Sequence, residues 1–188
     1  MRFTPLIQYQ TSKWLLLCET VKAEPCQCCQ KKGHLKRHGR LRGISLTGIE
    51  PCIRGLRFYC SNRYSNSGCG RTFTVFFNTV VPHLTVRAKQ LSAFFQLLLT
   101  GKSSHAAWYS IALPFSLRSA YRWIARLKSN QPTLRSAVYT DLPEAELENM
   151  PTHLATVTYL QQRLPSAECF VSAYQQQTQT SFFSASSS

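Results

Sequence analysis

Between Glu50 and Asp141 the chain has no carboxylate at all. The same stretch holds Arg54, Arg57, Arg63, Arg71, Arg87, Lys89, Lys102, Arg118, Arg122, Arg126, Lys128 and Arg135. A field of one sign over that length repels itself unless a polyanion lies nearby, and nucleic acid is the simplest polyanion. No basic helix with a lipid-facing apolar side stands out, which argues against an acidic membrane surface. Long hydrophobic runs are missing too. No segment approaches a transmembrane span, and the early apolar run at residues 14–18 (Trp-Leu-Leu-Leu-Cys) is too short for a signal-peptide core. The expectation is a protein of the reducing cytoplasm, nucleoid-associated if bacterial. In that compartment the chain's eight cysteines favour metal binding over disulfides.

The cysteines are also patterned. Cys26 and Cys29 form a CxxC pair, and Cys60 with Cys69 forms a second pair whose members stand eight residues apart. Zinc takes four thiolate or imidazole ligands in a tetrahedron, and a CxxC turn presents two sulfurs to one ion. Cys26, Cys29, Cys60 and Cys69 are therefore the candidate ligands of a structural Zn²⁺. A closed four-thiolate shell leaves no position for water or substrate. Cys28 is an alternative to Cys29, and Cys52 to Cys60. A rival local set is Cys26, Cys29, His34 and His38, which leaves Cys60 and Cys69 unexplained. Cys18 and Cys169 read as small buried apolar residues.

The fold expected is α+β: short antiparallel strands, then helices. Residues 1–24 form an N-terminal segment, with one short element around Trp14. Residues 25–80 form a ribbon with strands over 43–49, 53–59 and 71–77. It has so little apolar mass that metal binding must supply folding free energy. From about Val81 the period becomes helical. Leu84, Ala88, Leu91, Phe94, Phe95 and Leu98 share a face, and Gly101 stops that helix. Ser103 or Ser104 caps a short second helix through Trp108. Ser116 caps a third helix, from Leu117 to about Lys128, with Leu117, Ala120, Tyr121, Ile124 and Leu127 inward. Trp108 and Tyr121 read as core. Residues 131–150 look like a linker with the acidic cluster Asp141, Glu144, Glu146 and Glu148. Two short helices follow within 151–176, then a disordered Gln-, Thr- and Ser-rich tail over 177–188. There is no internal repeat.

Two short helices with a turn, the second rich in arginine, suggest a helix-turn-helix over 81–130, in which the second helix enters the major groove. Ser116, Arg118, Ser119 and Arg122 then reach base edges, because arginine reads guanine O6 and N7 through a bidentate contact. Lys102, Arg126 and Lys128 suit phosphates. So do Lys31, Lys32, Lys36, Arg37, Arg40 and Arg42 in the ribbon, as a basic arm.

The run Pro-Cys-Gln-Cys-Cys-Gln-Lys-Lys-Gly-His-Leu-Lys-Arg-His-Gly, then Arg-Phe-Tyr-Cys, then Cys-Gly-Arg-Thr-Phe-Thr resembles the N-terminal zinc ribbon of insertion-sequence transposases and their small DNA-binding companion proteins. That family has CPxCG, a basic segment, YRCKxCGRxF and then a helix-turn-helix. The likeness covers about residues 25–128 and carries the family's ligands onto Cys26, Cys29, Cys60 and Cys69. This chain departs from the pattern in lacking Pro after Cys26 and in spacing its second pair by eight residues instead of two. The family's catalytic part needs three separated carboxylates for two metal ions. Here Asp141 is the single aspartate, and the other late acids cluster near it or fall at Glu168.

The resemblance implies a non-enzymatic protein that binds double-stranded DNA, with terminal repeats or a promoter of a mobile element as targets and a transposase subunit or a second copy of itself as partner. Three other readings remain open. An RNA-binding ribbon would stack bases on Phe58, Tyr59, Tyr64 and Phe73. A non-catalytic transposase or nuclease fragment would act with a subunit that supplies the acids. A protein-interaction module would use the acidic segment and C-terminal helices.

Overall fold

The computed structural model describes residues 14–44, 51–138, 150–164 and 169–183. Its elements run α1 (Trp14–Ala23), β1 (Leu35–Ile44), β2 (Pro51–Cys60), β3 (Thr72–Phe76), α2 (Ala88–Leu99), α3 (Ser104–Ser110), α4 (Arg118–Ser136), α5 (Thr152–Arg163) and α6 (Phe170–Thr178). The mixture of helices and one antiparallel sheet agrees with the α+β class. No helix among the described residues is long and apolar enough to cross a membrane.

The sheet is ordered β1-β2-β3. Leu35 pairs with Cys60, and Leu56 of β2 pairs with Val75 of β3. Alternation puts Leu56, Phe58 and Cys60 on one face of β2, and all three are fully buried. Leu17, Cys18 and Val21 of α1 complete this small core with Leu35, Val75, Phe77 and Val80. The ribbon therefore has more apolar mass than residues 25–80 alone suggest, because the helix before it serves as its second layer. The first strand also lies earlier than the expected 43–49. It starts at Leu35, and its ladder with β2 has two register shifts, one that skips His38 on β1 and one that skips Arg54 on β2. Residues 45–50 fall outside the described residues.

The second core gathers helices α2 to α6. Phe94, Trp108 and Trp123 form an aromatic cluster, with centroids 5.8 Å apart for Phe94–Trp108, 5.6 Å for Phe94–Trp123 and 4.9 Å for Trp108–Trp123. Edge-to-face pairs of this kind add to plain area burial. Helix α2 opens with the Arg87 backbone N–H donating to Gln90 Oε1 at 3.0 Å. Ser103 caps α3 by accepting from the Ala106 N–H at 3.2 Å, as its position before a helical run predicts.

Helix α4 differs from expectation in three ways. Leu117, not Ser116, occupies its N-cap position, with no side-chain cap. Its buried face is Ala120, Trp123, Leu127 and Leu134, while Tyr121 is 54% exposed. Assigning Tyr121 to the core was thus wrong by about one residue of helix phase: the larger indole has taken the inward position. The helix also runs past Lys128 and through Pro132 to Ser136. Proline removes one backbone donor, but packing beyond it holds the last turns. Leu134 is buried, Arg135 Nε donates to Thr156 Oγ1 at 3.0 Å and the Tyr159 hydroxyl donates to the Val138 carbonyl at 3.3 Å. The expected linker thus begins inside a helix. Its acids, Asp141, Glu144, Glu146 and Glu148, lie outside the described residues.

The expected disordered tail is also corrected where it is described. Helix α6 reaches Thr178, Phe182 is buried against Phe95, Phe170 and Tyr174, and the buried Phe183 packs on Phe182. Two aromatic rings outweigh a polar composition when a pocket between helices accepts them.

The two cores meet at consecutive residues, Val80 belonging to the sheet core and Val81 to the helical one. Polar side chains pin the seam. Fully buried Gln175 donates to the carbonyls of Asn78 (2.7 Å) and Val80 (3.1 Å), and its Oε1 accepts from the Phe182 N–H at 3.2 Å. Arg54 of β2 donates to the carbonyls of Val81, Leu84 and Thr85. Burial lowers its pKa, and this arginine is structural rather than part of a free basic surface.

Candidate functional site

Cys26 and Cys29 sit on the turn between α1 and β1. The Gln30 N–H donates to the Cys26 carbonyl at 2.7 Å and the Cys26 N–H to the Lys31 carbonyl at 2.9 Å, closing a tight knuckle. Gln30 takes φ 60° and Gly33 φ 76°, so the chain can reverse there into the strand. Cys60 ends β2 and Cys69 precedes β3. The Cys60 N–H donates to the Arg71 carbonyl (2.9 Å), while the Gly70 N–H donates to the Cys60 carbonyl (2.8 Å).

The four sulfurs all lie within 4.8 Å of one another, with Cys26–Cys69 and Cys29–Cys60 each at 3.7 Å. A tetrahedral ion with metal–thiolate bonds of about 2.3 Å needs sulfurs about 3.8 Å apart. The thiols are free and too distant for disulfide bonds. This donor set fits a four-thiolate metal site. Backbone N–H groups support it, from Cys28 to Cys26 Sγ at 3.4 Å and from Cys69 to Cys60 Sγ at 3.3 Å.

The glycine that admits this approach is Gly68. A Cβ there would lie 2.6 Å from Cys60 Sγ and 2.2 Å from the Ser61 carbonyl oxygen. Gly70, the obvious candidate from sequence, is needed instead for its φ of 71°.

The alternatives close on geometry. Cys28 is exposed and outside the cluster, and Cys52 contacts the Ile44 carbonyl at 3.6 Å. His34 Nδ1 contacts Asn66 Oδ1 at 3.3 Å, and His38 packs edge-on against Tyr59 at 5.7 Å. Cys18 and Cys169 are buried as apolar residues, and Cys169 Sγ also accepts from the Ser172 N–H at the start of α6.

Without a metal the thiols are unlike. Burial opposes ionisation of Cys26, but hydrogen bonds from the backbone of Cys29 and Cys28 and from the thiols of Cys60 and Cys69 bring its pKa down to about 7. Burial pushes the Cys60 thiol up to about 12, and the neighbouring Cys29, Cys26 and Cys69 sulfurs add to the rise. At Cys69 the Arg71 backbone hydrogen bond acts downward, yet burial and the Cys26 and Cys29 sulfurs leave the thiol raised. Only a cation bound among them favours deprotonating the whole set.

The basic residues divide into two groups. On α4, Arg118, Tyr121, Arg122, Ala125, Arg126 and Ser129 recur at i, i+3, i+4, i+7, i+8 and i+11 and are all exposed. This is one continuous helix face. Ser116 is exposed just before the helix, Ser119 is half-buried and Lys128 is exposed beside the stripe. Lys102, between α2 and α3, donates to Ser110 Oγ at 3.2 Å.

On the sheet, the expected single arm is split. Lys36 pairs with Tyr59, itself opposite Thr72, and Arg57 pairs with Gly39 and Thr74, all on the face away from Leu56 and Phe58. Arg37 and Arg40 pair with Phe58 and Leu56, on the α1 side. Arg42 is exposed near the far end of β1. Lys31 is exposed, and its Nζ donates to the Ser67 carbonyl at 2.7 Å; Lys32 is exposed beside it. Since β1 is an edge strand, its cations also discourage pairing with another chain. Arg57 and Tyr121 are the exposed candidates that sequence reasoning missed, and the strand and helix phases were the available signals.

Glu19 and Glu24 are the sole carboxylates among the described residues, and Glu19 pairs with Lys22 at 2.7 Å. Both stand at the α1 end of the sheet unit, so no described acid lies in sequence beyond Glu24. Of the four aromatics proposed to stack on bases, Phe58 is fully buried and stacked on Phe73 at 5.9 Å, Tyr59 is half-buried and Tyr64 is fully exposed. Comparison with protein-family models, curated proteins and solved structures finds no match, so any assignment of function rests on this chain's own residues.

Proposed function

We propose that the protein is a zinc-stabilised, sequence-preferring double-stranded DNA-binding protein without catalytic activity of its own. Cys26, Cys29, Cys60 and Cys69 hold a structural Zn²⁺, because soft thiolates in a closed tetrahedron select zinc under reducing conditions. The observation that carries the DNA reading is the exposed Arg118, Tyr121, Arg122 and Arg126 stripe on α4. It has the width of one helix face and suits a major groove. Helices α3 and α4 act as the helix-turn-helix, and the sheet acts as the zinc ribbon of a transposase-type DNA-binding part.

Each group has a distinct task. Arg118 and Arg122, near the start of α4, make bidentate contacts to guanine edges, helped by Ser116 and Ser119. Arg126, Lys128 and Lys102 meet phosphates, as do Lys36 and Arg57 on one face of the ribbon and Lys31 and Lys32 beside the knuckle, while Arg37 and Arg40 on the other face stand outside that contact. Two weak modules in one chain gain affinity because the second binds at high effective concentration.

The test joins zinc analysis to titration of duplex DNA at two salt concentrations. One zinc per chain, with affinity falling steeply as salt rises, is the expected result. Arg118→Ala is expected to cost about 1–3 kcal/mol at preferred sites and to flatten sequence preference, while Lys36→Ala weakens binding to all duplexes alike. Identical effects across sequences would remove α4 from base readout. Tighter binding to structured RNA than to duplex at one salt would replace DNA by RNA as the ligand. Salt-independent binding to a protein would favour an interaction module.

A further inference from the structure

The eight-residue loop between Cys60 and Cys69 carries one fully solvated aromatic ring. Tyr64 is fully solvated, at 101% relative exposure, and it takes φ 58°, a left-handed conformation that an aromatic residue rarely adopts. The loop around it is not slack. The Gly68 N–H donates to the Ser61 carbonyl at 2.8 Å, and the Asn66 N–H and Nδ2 both donate to the Arg63 carbonyl at 3.1 Å. The Arg63 N–H meets Ser61 Oγ at 3.4 Å, and Ser61 is itself buried. Two side chains tie the loop to the other knuckle, Lys31 Nζ to the Ser67 carbonyl at 2.7 Å and His34 to Asn66 at 3.3 Å.

The other exposed tyrosines differ. Tyr109 leans on His105, with centroids 4.6 Å apart, and Tyr121 lies within the arginine stripe of α4. A hydrogen-bonded loop that holds an uncovered ring in a disfavoured backbone conformation is the kind of outlier from which a functional role is inferred. Its sequence neighbour Arg63 and the knuckle residue Arg71 are exposed cations, and no described carboxylate lies in the sheet unit after Glu24. An electron-rich face in that setting suits a nucleobase on a phosphate backbone rather than an acidic or neutral protein pocket.

We propose that Tyr64 is a base-stacking tip, so that the favoured ligand is duplex DNA next to an unpaired or unstacked base. This rests on the nucleic-acid reading and names its substrate class: a junction, frayed end or overhang. Duplex beside the tip engages the basic helix and strand, and the exposed base lies on the Tyr64 ring. Because Lys31 and His34 join the loop to the first knuckle, the metal site sets where the tip stands.

The experiment compares the full zinc-loaded chain on a blunt duplex with the same duplex carrying a short single-stranded overhang that contains 2-aminopurine. Wild type is expected to bind the overhang substrate about tenfold tighter or more and to quench the probe. Tyr64→Phe keeps both effects. Tyr64→Asn, which fits the left-handed position without the ring, and Tyr64→Ala lose both and leave zinc content and blunt-duplex affinity within about twofold of wild type. Equal wild-type affinity for the two substrates, or a preference that survives Tyr64→Asn, overturns the proposal. Overhang binding that depends on Tyr64 without any blunt-duplex binding supports the tip and overturns the duplex reading. No binding to either DNA overturns both.

Discussion

Among the described residues eleven buried apolar side chains gather under the sheet, two of them cysteines of the candidate metal site, against twenty-five among the helices. The helical unit has its own aromatic centre and long helices to close around it. The sheet unit has two ten-residue strands and one five-residue strand, one ten-residue helix and two knuckles whose backbone turns on four sulfurs. A core that small gives the proposed metal–thiolate bonds the task of replacing missing hydrophobic area. On the proposed zinc reading the same chain folds one unit by burial and the other by coordination, joined at the Val80–Val81 seam.

Removing the metal tests that contrast most severely. Chelation, or Cys60→Ser at a fully buried ligand, is expected to forfeit most of the roughly 10–16 kcal/mol that a structural zinc supplies. Amide exchange should then become fast from α1 through β3 while α2 to α6 stay protected. Helix α1 is the sharp part of this test, since a helix that relies on the sheet for its core must be lost with it. Retained protection of Leu17, Cys18 and Val21 would mean that α1 belongs with the helices.

Gln175→Leu addresses the join. It leaves two buried carbonyls and the Phe182 N–H without partners, at a cost of about 2–4 kcal/mol. In wild type, metal removal is expected to lower the melting temperature of the helices slightly through the seam. In the variant the two units should melt independently in calorimetry. A single shared transition in the variant would show that Gln175 does not couple them.

How much of this was legible in the chain depended on where each signal lay. The four clustered cysteines were legible because CxxC is a local turn, but only the placed sulfurs decide against Cys28, Cys52 and the His34 and His38 set. The Ser103 cap was local too. The phase of α4 was not legible, since Tyr121 and Trp123 both suit a core and only the cluster with Phe94 and Trp108 decides which turns inward. The burial of Phe182 and Phe183 was hidden by polar neighbours, because a pocket formed by α2 and α6 cannot be read from the segment that fills it. The basic arm failed for a related reason: a one-residue bulge changes which face a strand residue occupies.

The smallest effect expected is a change in the slope of the pH dependence, and it separates the units again. Bound metal requires thiolates, so apparent zinc affinity should rise with pH as protons no longer compete. Each thiol deprotonated on binding contributes one decade of affinity per pH unit. Cys26 ionises at about 7 in the metal-free cluster, whereas Cys60 is held up at about 12. A plot of log affinity against pH should therefore become one unit shallower above about 7. Acidification should release the sheet unit before the helices. A constant slope through neutrality would show that Cys26 is not the first thiol to ionise.

The clamp between Ser61 and Gly68 has a consequence for how such a protein can change. The placement of the Cys60 and Cys69 sulfurs is fixed below the clamp, by the backbone bonds through Gly70 and Arg71. Residues 62–67 lie above it and supply no ligand. They form a cassette that can be exchanged for a turn of other length or chemistry, with unchanged zinc stoichiometry as the sign of a clean graft. Variation in what the knuckle touches is thereby separated from variation in whether the unit folds.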